Sequence, residues 1–276
     1  MNAEQSKRGP GQPYTRVLLE ILDPNYDHPA TVDEVKFHLR MGADVRAVNE
    51  NNATALLVAS YQKYEDMSDI LKLLLDHGAD VNVQDKWGYT PLYWACLHGQ
   101  TKAVRLLLSH GADVNIRDEG DRTPLHAACL SGCAPVIQAL LKGGVDVNAQ
   151  DKYGDTPLHR ATAGAYDEAV GILLQAGADP NARNSVHETP LRIAGNSGRI
   201  DILAAFISHG ALKDGNVTVR DQTGEISMPL DIAIKNSDPD TVEAREAIID
   251  WYREHHPELV MERFCATGPG GTTVGC

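Results

Sequence analysis

A period of 33 residues is the feature that most constrains how this chain can fold. Asp85, Asp118, Asp151 and Asn184 lie one period apart, and each of them opens a similar stretch of sequence. The four stretches read DKWGYTPLYWAC, DEGDRTPLHAAC, DKYGDTPLHRAT and NSVHETPLRIAG. One such unit is too short to bury an apolar face alone, so the copies must stack on one another. The period therefore predicts an array of repeats.

Each period predicts two helices joined by turns. A threonine precedes a proline at Thr90, Thr123, Thr156 and Thr189, which is typical of a helix N-cap followed by a first-turn residue. The first helix carries small residues, and the second carries leucine pairs such as Leu106–Leu107. Glycines are predicted to end the second helix in the left-handed conformation: Gly78, Gly111, Gly144, Gly177 and Gly210. The turn between copies also needs a positive φ, at Gly88 and Gly154, with Asn52 and His187 in the same slot.

These words resemble the ankyrin repeat family. The match lies in TPLH at Thr123–His126 and Thr156–His159, and in GADVN at Gly78–Asn82 and Gly111–Asn115. The resemblance implies an all-α fold, an ankyrin-repeat solenoid of stacked helix–turn–helix units with β-turn or hairpin tips. It also implies a concave face, formed by the tips and the first helices, that binds a protein partner.

The repeat pattern divides the chain into three segments. Residues 1–13 are polar and rich in Gly and Pro, which predicts disorder. Residues 14–264 are predicted to form six to seven repeats, counting degenerate caps at both ends, with the first helix over 14–22. Residues 265–276 read as a flexible tail of Gly, Thr and Cys.

Two copies carry insertions. Three extra residues near Tyr61–Asp66 are predicted to project from the stack, and six more are expected as a loop across Lys213–Gly224. A closing helix is predicted from Asp238 to about His255. Residues 221–263 are acidic, which fits either a solvated cap or a patch for a basic partner.

Charge and cysteine usage narrow the function classes. The formal net charge of −13 argues against nucleic acid as a partner, because nucleic acid selects a basic face. No apolar stretch is long enough to span a membrane, and the first residues lack the apolar core of a signal peptide. Five scattered cysteines do not make a disulfide framework, and Cys96 and Cys129 read as reduced core residues. We expect a monomer in a cytosolic or nuclear setting.

The chain lacks the marks of an enzyme. It has neither a phosphate-binding glycine loop nor a GxSxG elbow, and its acidic, Ser and Cys residues occupy repeat slots or surface loops. The repeat explains His126 and His159, as links between neighbouring copies, and His77, His110 and His209, at helix ends. No set of Cys or His has zinc spacing. The sequence therefore predicts no catalysis, no cofactor and no metal.

Binding residues are sought where the copies differ, because folding alone should not dictate those positions. Carried over from the resemblance, the candidate tip residues are Lys86, Trp87, Tyr89, Glu119, Arg122, Lys152, Tyr153 and Asp155. Trp94, His98 and Arg160 are the candidates on first helices, and Leu130 is expected to face the same groove. Trp, Tyr and Arg often dominate interface energies. The alternatives are that Trp87 or Tyr153 packs across the adjacent turn and that Trp94 belongs to the core.

The main hypothesis is a protein-binding module, acting as an adaptor, a scaffold or an inhibitor of a catalytic partner. The alternative is a carrier that presents the Cys265–Cys276 tail, with Cys276 as a candidate attachment site. The resemblance also suggests that Asn82, Asn115 and Asn148 are substrates of an asparaginyl hydroxylase. Against this, the same side chains can simply hydrogen-bond the turn backbone.

Overall fold

The computed structural model describes residues 12–23, 30–62, 67–197, 199–211, 219–220, 226–227, 240, 242–257 and 260. The chain divides into two compact units, residues 1–152 and 153–276, and each is described by itself.

Four helix pairs build the described part of the first unit. They are α1 (Gln12–Ile21), α2 (Val32–Arg40), α3 (Ala55–Ser60), α4 (Ser68–Asp76), α5 (Pro91–Leu97), α6 (Thr101–Ser109), α7 (Pro124–Ser131) and α8 (Ala134–Lys142). The first helices α1, α3, α5 and α7 pack side by side, and the second helices α2, α4, α6 and α8 do the same. The tips between the pairs therefore recur along one edge of the first helices.

The second unit continues the same plan within its own bounds. Its elements are α9 (Pro157–Ala163), α10 (Asp167–Gln175), α11 (Pro190–Ser197), α12 (Ile200–Ser208), β1 (Val219–Arg220), β2 (Ile226–Ser227) and α13 (Val242–His255). Helix α9 packs on α10 and α11, and α12 packs on α10, α11 and α13. The two short strands pair antiparallel, with Val219 opposite Ser227.

The Thr–Pro words begin helices as predicted. The Thr90 hydroxyl accepts a hydrogen bond from the Tyr93 amide at 3.1 Å, which satisfies one orphan donor of the first turn. In the TPLH copy at Thr156, Nδ1 of His159 accepts from the Thr156 amide at 3.1 Å. Nε2 of the same ring therefore carries the proton, and it donates to the Glu188 carbonyl at 3.1 Å. His159 thus links neighbouring repeats, as predicted.

The core is made of the leucines and small residues of the repeat. Leu92, Leu125 and Leu158 are at most 1% exposed. Cys96 and Cys129 are free thiols at 0% exposure, and burial raises the pKa of both. The prediction that they are reduced core residues is confirmed.

The predicted left-handed positions are also confirmed. All five glycines at the predicted positions have positive φ, between 75° and 86° for residues 78, 111, 144, 177 and 210. Asn52 (φ 57°) and His187 (φ 61°) take the turn slot of Gly88, and Asp121 (φ 60°) does so in the third copy. Gly88 has a second reason to be glycine: a Cβ there would lie 3.0 Å from the Cα of Asp118 in the next tip.

The structure changes the predicted start of the first helix and the predicted position of Tyr61, and it leaves the predictions for several other segments untested. Helix α1 begins at Gln12, so residues 12 and 13, which were predicted to be disordered, are helical, and residues 1–11 lie outside the described residues. The residues between α3 and α4 do hold the first insertion, but Tyr61 turns inward, as described below, instead of projecting. Residues 63–66, most of the predicted loop across 213–224 and the whole tail 265–276 lie outside the described residues.

Candidate protein-binding site

A ladder of main-chain hydrogen bonds joins the tips of the first unit. We define tip 1 as residues 48–52, tip 2 as residues 85–89 and tip 3 as residues 118–122. The amide of Lys86 donates to the carbonyl of Asn51 at 3.0 Å, and the amide of Glu119 donates to that of Trp87 at 3.1 Å. The amide of Lys152 donates to the carbonyl of Gly120 at 3.0 Å. This tip ladder fixes the backbone that carries the variable side chains.

A buried carboxylate organises tip 2. Asp85 is 5% exposed, and its Oδ1 accepts hydrogen bonds from the amides of Trp87 (2.9 Å) and Tyr89 (3.0 Å). Its Oδ2 accepts from the hydroxyl of Tyr61 at 3.0 Å and lies 3.5 Å from the indole nitrogen of Trp94. Since a buried anion is costly unless it is well hydrogen-bonded, these donors hold the tip in one conformation.

The equivalent carboxylate of tip 3 is satisfied by a different side chain. Oδ1 of Asp118 accepts from the amides of Gly120 (2.7 Å) and Arg122 (2.9 Å). Its Oδ2 pairs with Nε of Arg122 at 2.7 Å. The same guanidinium donates to the hydroxyl of Tyr89 at 2.7 Å, which couples tip 3 to tip 2.

Four rings and one imidazole form an aromatic cluster behind tip 2. We use this name for Tyr61, Tyr89, Tyr93, Trp94 and His98. Trp94 lies at its centre, with ring centroids 4.8 Å from Tyr61, 5.1 Å from Tyr89 and 5.7 Å from His98. Burial, followed by the charge and the hydrogen bond of Asp85, raises the pKa of the Tyr61 phenol. The cluster is therefore packed, with its rings held against one another.

Trp87 stands apart from this cluster because its ring is exposed. Its side chain is 41% exposed, and the ammonium of Lys86 lies 4.4 Å from its ring centroid. Its own amide and carbonyl are both fixed, by Asp85 and by Glu119. Leu130, at the end of α7, adds a second exposed apolar side chain at 40%. Tip 2 thus presents an aromatic ring on a rigid backbone.

The candidates in the second unit show the same division between exposed and engaged side chains. Tyr153 is 56% exposed, while its carbonyl accepts from the amide of Ser185 at 2.8 Å. Asp155 accepts from the side-chain amide of Asn184 at 2.8 Å and pairs with Arg160 at 3.2 Å. Tyr153 is therefore an exposed candidate, and Asp155 and Arg160 form an ion pair with each other.

In the first unit the structure brings most sequence-predicted candidates together. Trp94, His98, Tyr89 and Arg122 share one connected network, with Lys86 and Trp87 on its ladder. Glu119 and Lys152 are exposed, and each joins the tip ladder through its backbone amide. Sequence reasoning missed Tyr61, Asp85 and Asp118. The signal for the two acids was their recurrence at the start of each repeat, whereas nothing marked Tyr61.

The candidate asparagines also link neighbouring copies. Oδ1 of Asn82 accepts from the amide of Asp113 at 2.8 Å, and Oδ1 of Asn115 lies 3.4 Å from the amide of Asp146. The amide of Asn148 donates to the carboxylate of Asp146 at 3.0 Å. These bonds give the side chains of Asn82 and Asn115 a structural role in the turns. Their hydroxylation stays a prediction.

Among the residues that the structure describes, no group of three or more His, Cys, Asp or Glu is arranged to hold a metal ion. None of the described helices combines the length and the apolar character needed to cross a membrane.

The helix pairs, the 33-residue period and the tip ladder define a helical repeat protein. A family model described as ankyrin repeats, in three copies, matches residues 28–118 and 117–184, more than half of the chain. The chain belongs to the ankyrin repeat family, and the predicted all-α ankyrin-repeat fold is confirmed. Ankyrin repeats are generally protein–protein interaction modules and typically non-enzymatic. The comparison with curated proteins returned no match.

Proposed function

We propose that this chain binds a protein partner through the tip face of its first unit, with Trp87 as the central anchor. The tip face consists of tips 2 and 3 with the exposed ends of α5 and α7. The observation that carries the proposal is an indole ring 41% exposed on a backbone whose amide and carbonyl are both hydrogen-bonded. Such a ring loses little entropy on binding, because its tip is already ordered.

The surroundings of Trp87 suit an interface. Large aromatic side chains supply much of the binding energy at protein interfaces, and a polar rim excludes water around them. Lys86 and Glu119 are exposed next to Trp87 and form such a rim, and Leu130, near the end of α7, is a further exposed apolar residue of the first unit. Tyr153, exposed in the second unit, is proposed as a further anchor.

Tyr89 and Arg122 take a supporting part in this proposal. Tyr89 stacks on Tyr93 at 4.6 Å and accepts from Arg122, whose other contact is the buried Asp118. These contacts hold tips 2 and 3 in register. Truncating either residue is therefore expected to lower stability together with binding.

The adaptor, scaffold and inhibitor roles share this surface and differ only in the partner. The carrier alternative depends on residues 265–276, which lie outside the described residues. It stays a hypothesis, and deletion of the tail tests it: a binder keeps its partner without residues 265–276, and a carrier does not.

The test compares two exposed aromatic residues on different surfaces. The full chain, Trp87→Ala and Phe37→Ala are used to capture proteins from cells that express it, with quantitative mass spectrometry. Phe37 on α2 is 53% exposed and serves as the matched control. We expect Trp87→Ala to lose about 2 kcal/mol of binding, roughly thirtyfold in affinity, with an unchanged melting temperature. Equal capture by all three proteins contradicts the proposal.

A further inference from the structure

A recess lies at the N-terminal end of the first unit, between α1 and the loop that leads into tip 1. It has a volume of about 710 Å³. This lies within the range of roughly 300–1,000 Å³ that is usual for ligand sites. We call it the N-terminal recess.

The lining of this recess is strongly acidic. It includes the carboxylates of Glu20, Asp23, Asp44 and Glu50, and Arg16 is its one basic residue. The guanidinium of Arg16 is already paired with Glu20 at 2.7 Å. The lining therefore carries more acidic than basic residues, and its negative charge attracts a cation.

Part of the lining is apolar, and we call this part the apolar wall. Leu19 contributes from α1 and Val48, 48% exposed, contributes from tip 1. Lys and Arg side chains bury their aliphatic stems on apolar surface while their charged ends stay with polar groups. The combination of an apolar wall and excess carboxylates fits such a side chain better than a simple inorganic cation. Among the described residues, none of the acidic groups forms a metal-binding cluster.

The walls are held together by hydrogen bonds. The hydroxyl of Thr15, on α1, accepts from the amide of Asp44 at 2.8 Å, across the base of the recess. The carboxylate of Asp44 in turn accepts from the amide of Arg46 at 2.9 Å. Asn49 accepts from the amides of Asn51 and Ala53 at 2.9 and 3.0 Å. The recess is therefore built into the fold before any partner arrives.

The recess is continuous with the tip face. Asn51 lines it and is also the first rung of the tip ladder, where it accepts from the amide of Lys86, the neighbour of Trp87. A partner segment that contacts Trp87 has only to pass tip 1 to reach the acidic lining.

We propose that the N-terminal recess receives an arginine or lysine side chain from the protein segment that docks on the tip face. This proposal rests on the proposed function and adds one property of the partner. The segment that docks on the tip face carries a basic residue on one side of the part that contacts Trp87. The apolar wall takes the stem of that side chain, and the carboxylates of Asp44 and Glu50 take its charge.

The recess can be tested without the natural partner. The probe is N-acetyl-arginine amide, titrated into the full ¹⁵N-labelled chain, with N-acetyl-citrulline amide as the uncharged probe of similar shape. We expect saturable amide shifts confined to residues 15–23 and 44–51, and weaker binding when the salt is raised above about 0.15 M. Equal shifts with both probes, or none at these residues, overturn the proposal.

Charge variants test whether Asp44 and Glu50 bind the arginine probe. Asp44→Asn with Glu50→Gln keeps the hydrogen-bonding shape of both side chains, and we expect about fivefold weaker binding of the arginine probe. Asp69→Asn, an exposed carboxylate on α4, makes the same kind of charge change elsewhere and is expected to leave the titration unchanged. A double variant that binds the probe as the wild type does overturns the proposal.

The failures of the two proposals are distinguishable. Trp87→Ala is expected to leave the arginine titration intact, because the ring does not line the recess. If captured proteins depend on Trp87 but not on Asp44 and Glu50, the tip face stands and the recess proposal is overturned. If the arginine probe binds as expected while capture does not depend on Trp87, the recess stands without the proposed tip face.

Discussion

At the scale of single residues, the Asp or Asn that opens each repeat determines which side chains pack around it. Asp85 uses Tyr61 and Trp94 to satisfy its second oxygen, and Asp118 uses Arg122. Asn184 offers an amide nitrogen at the same place, and its partner is accordingly an acceptor, the carboxylate of Asp155. Differences between copies are therefore partly dictated by folding, contrary to the argument made from the sequence.

Tyr61 is predicted to make stability depend on alkaline pH. Its pKa is raised above the ordinary value of 10.0 by burial and by Asp85, so the folded state holds the phenolic proton more tightly than the unfolded state. Its contribution is therefore fully present below pH 10 and is lost as the pH rises beyond that value. We expect wild type to be more stable than Tyr61→Phe at pH 8 and the difference to shrink above pH 10, as measured by urea unfolding. A constant difference across this window contradicts the prediction.

Ala165 is predicted to be a correctable weak point. It has φ 56°, in the slot where Gly99 and Gly132 have φ 66°. A Cβ is unfavourable there, so we expect Ala165→Gly to stabilise the protein by about 0.5–1 kcal/mol. Ala163→Gly, two residues earlier in α9 and exposed, is the control and is expected to destabilise by about 1 kcal/mol. Denaturant midpoints of both variants check the opposite signs.

The sequence predicted what the repeat imposes and missed what one copy adds. The left-handed slots, the Thr–Pro starts and the role of His159 follow from words that recur, and each is confirmed. Tyr61 lies in an insertion found in one copy only, so no second copy indicated that it turns toward Asp85. Tyr89 was predicted to be an anchor because it differs between copies, but it stacks on Tyr93 and is half-buried. A single sequence shows that a residue differs, and only the packing shows what it contacts.

At the scale of the helix, the second helices α4, α6 and α12 end in the same arrangement. Nδ1 of His77, His110 and His209 lies 2.8–2.9 Å from the carbonyl four residues earlier, which also accepts a hydrogen bond from the backbone amide of the same histidine. A glycine with positive φ follows each histidine. In these three helices the last turn thus ends on a pair of residues, a histidine that forms a hydrogen bond and a glycine that takes the left-handed conformation.

Gly111 can be used to test whether the glycine that follows the histidine is required for its backbone conformation. A Cβ added there would meet no atom within 4 Å, so any cost comes from the backbone at φ 83° and not from a clash. We expect Gly111→Val to lower the free energy of unfolding by about 1–2 kcal/mol and Gly111→Asn to lower it less, because Asn tolerates the left-handed region. Chemical denaturation of the two variants distinguishes backbone strain from packing. Equal losses for Val and Asn contradict this explanation.

At the scale of the whole molecule, the net charge of −13 is the dominant global property. Charges of one sign repel each other in a compact state, and salt screens them within about 10 Å at 0.1 M. We expect the melting temperature to rise between about 0.01 M and 0.15 M NaCl. Choline chloride at the same ionic strength is the control and should act equally. A rise with sodium alone contradicts general screening.

The tip ladder has a consequence for how such a molecule can change over generations. Every rung joins an amide to a carbonyl, at Lys86 and Asn51, at Glu119 and Trp87, and at Lys152 and Gly120. Because these hydrogen bonds join main-chain atoms, they do not by themselves require particular side chains at Lys86, Glu119 or Lys152. A gene segment that encodes one repeat can then be duplicated, lost or exchanged while the main-chain hydrogen bonds between neighbouring tips are kept. New recognition surfaces can therefore arise by recombination of whole units as readily as by point mutation.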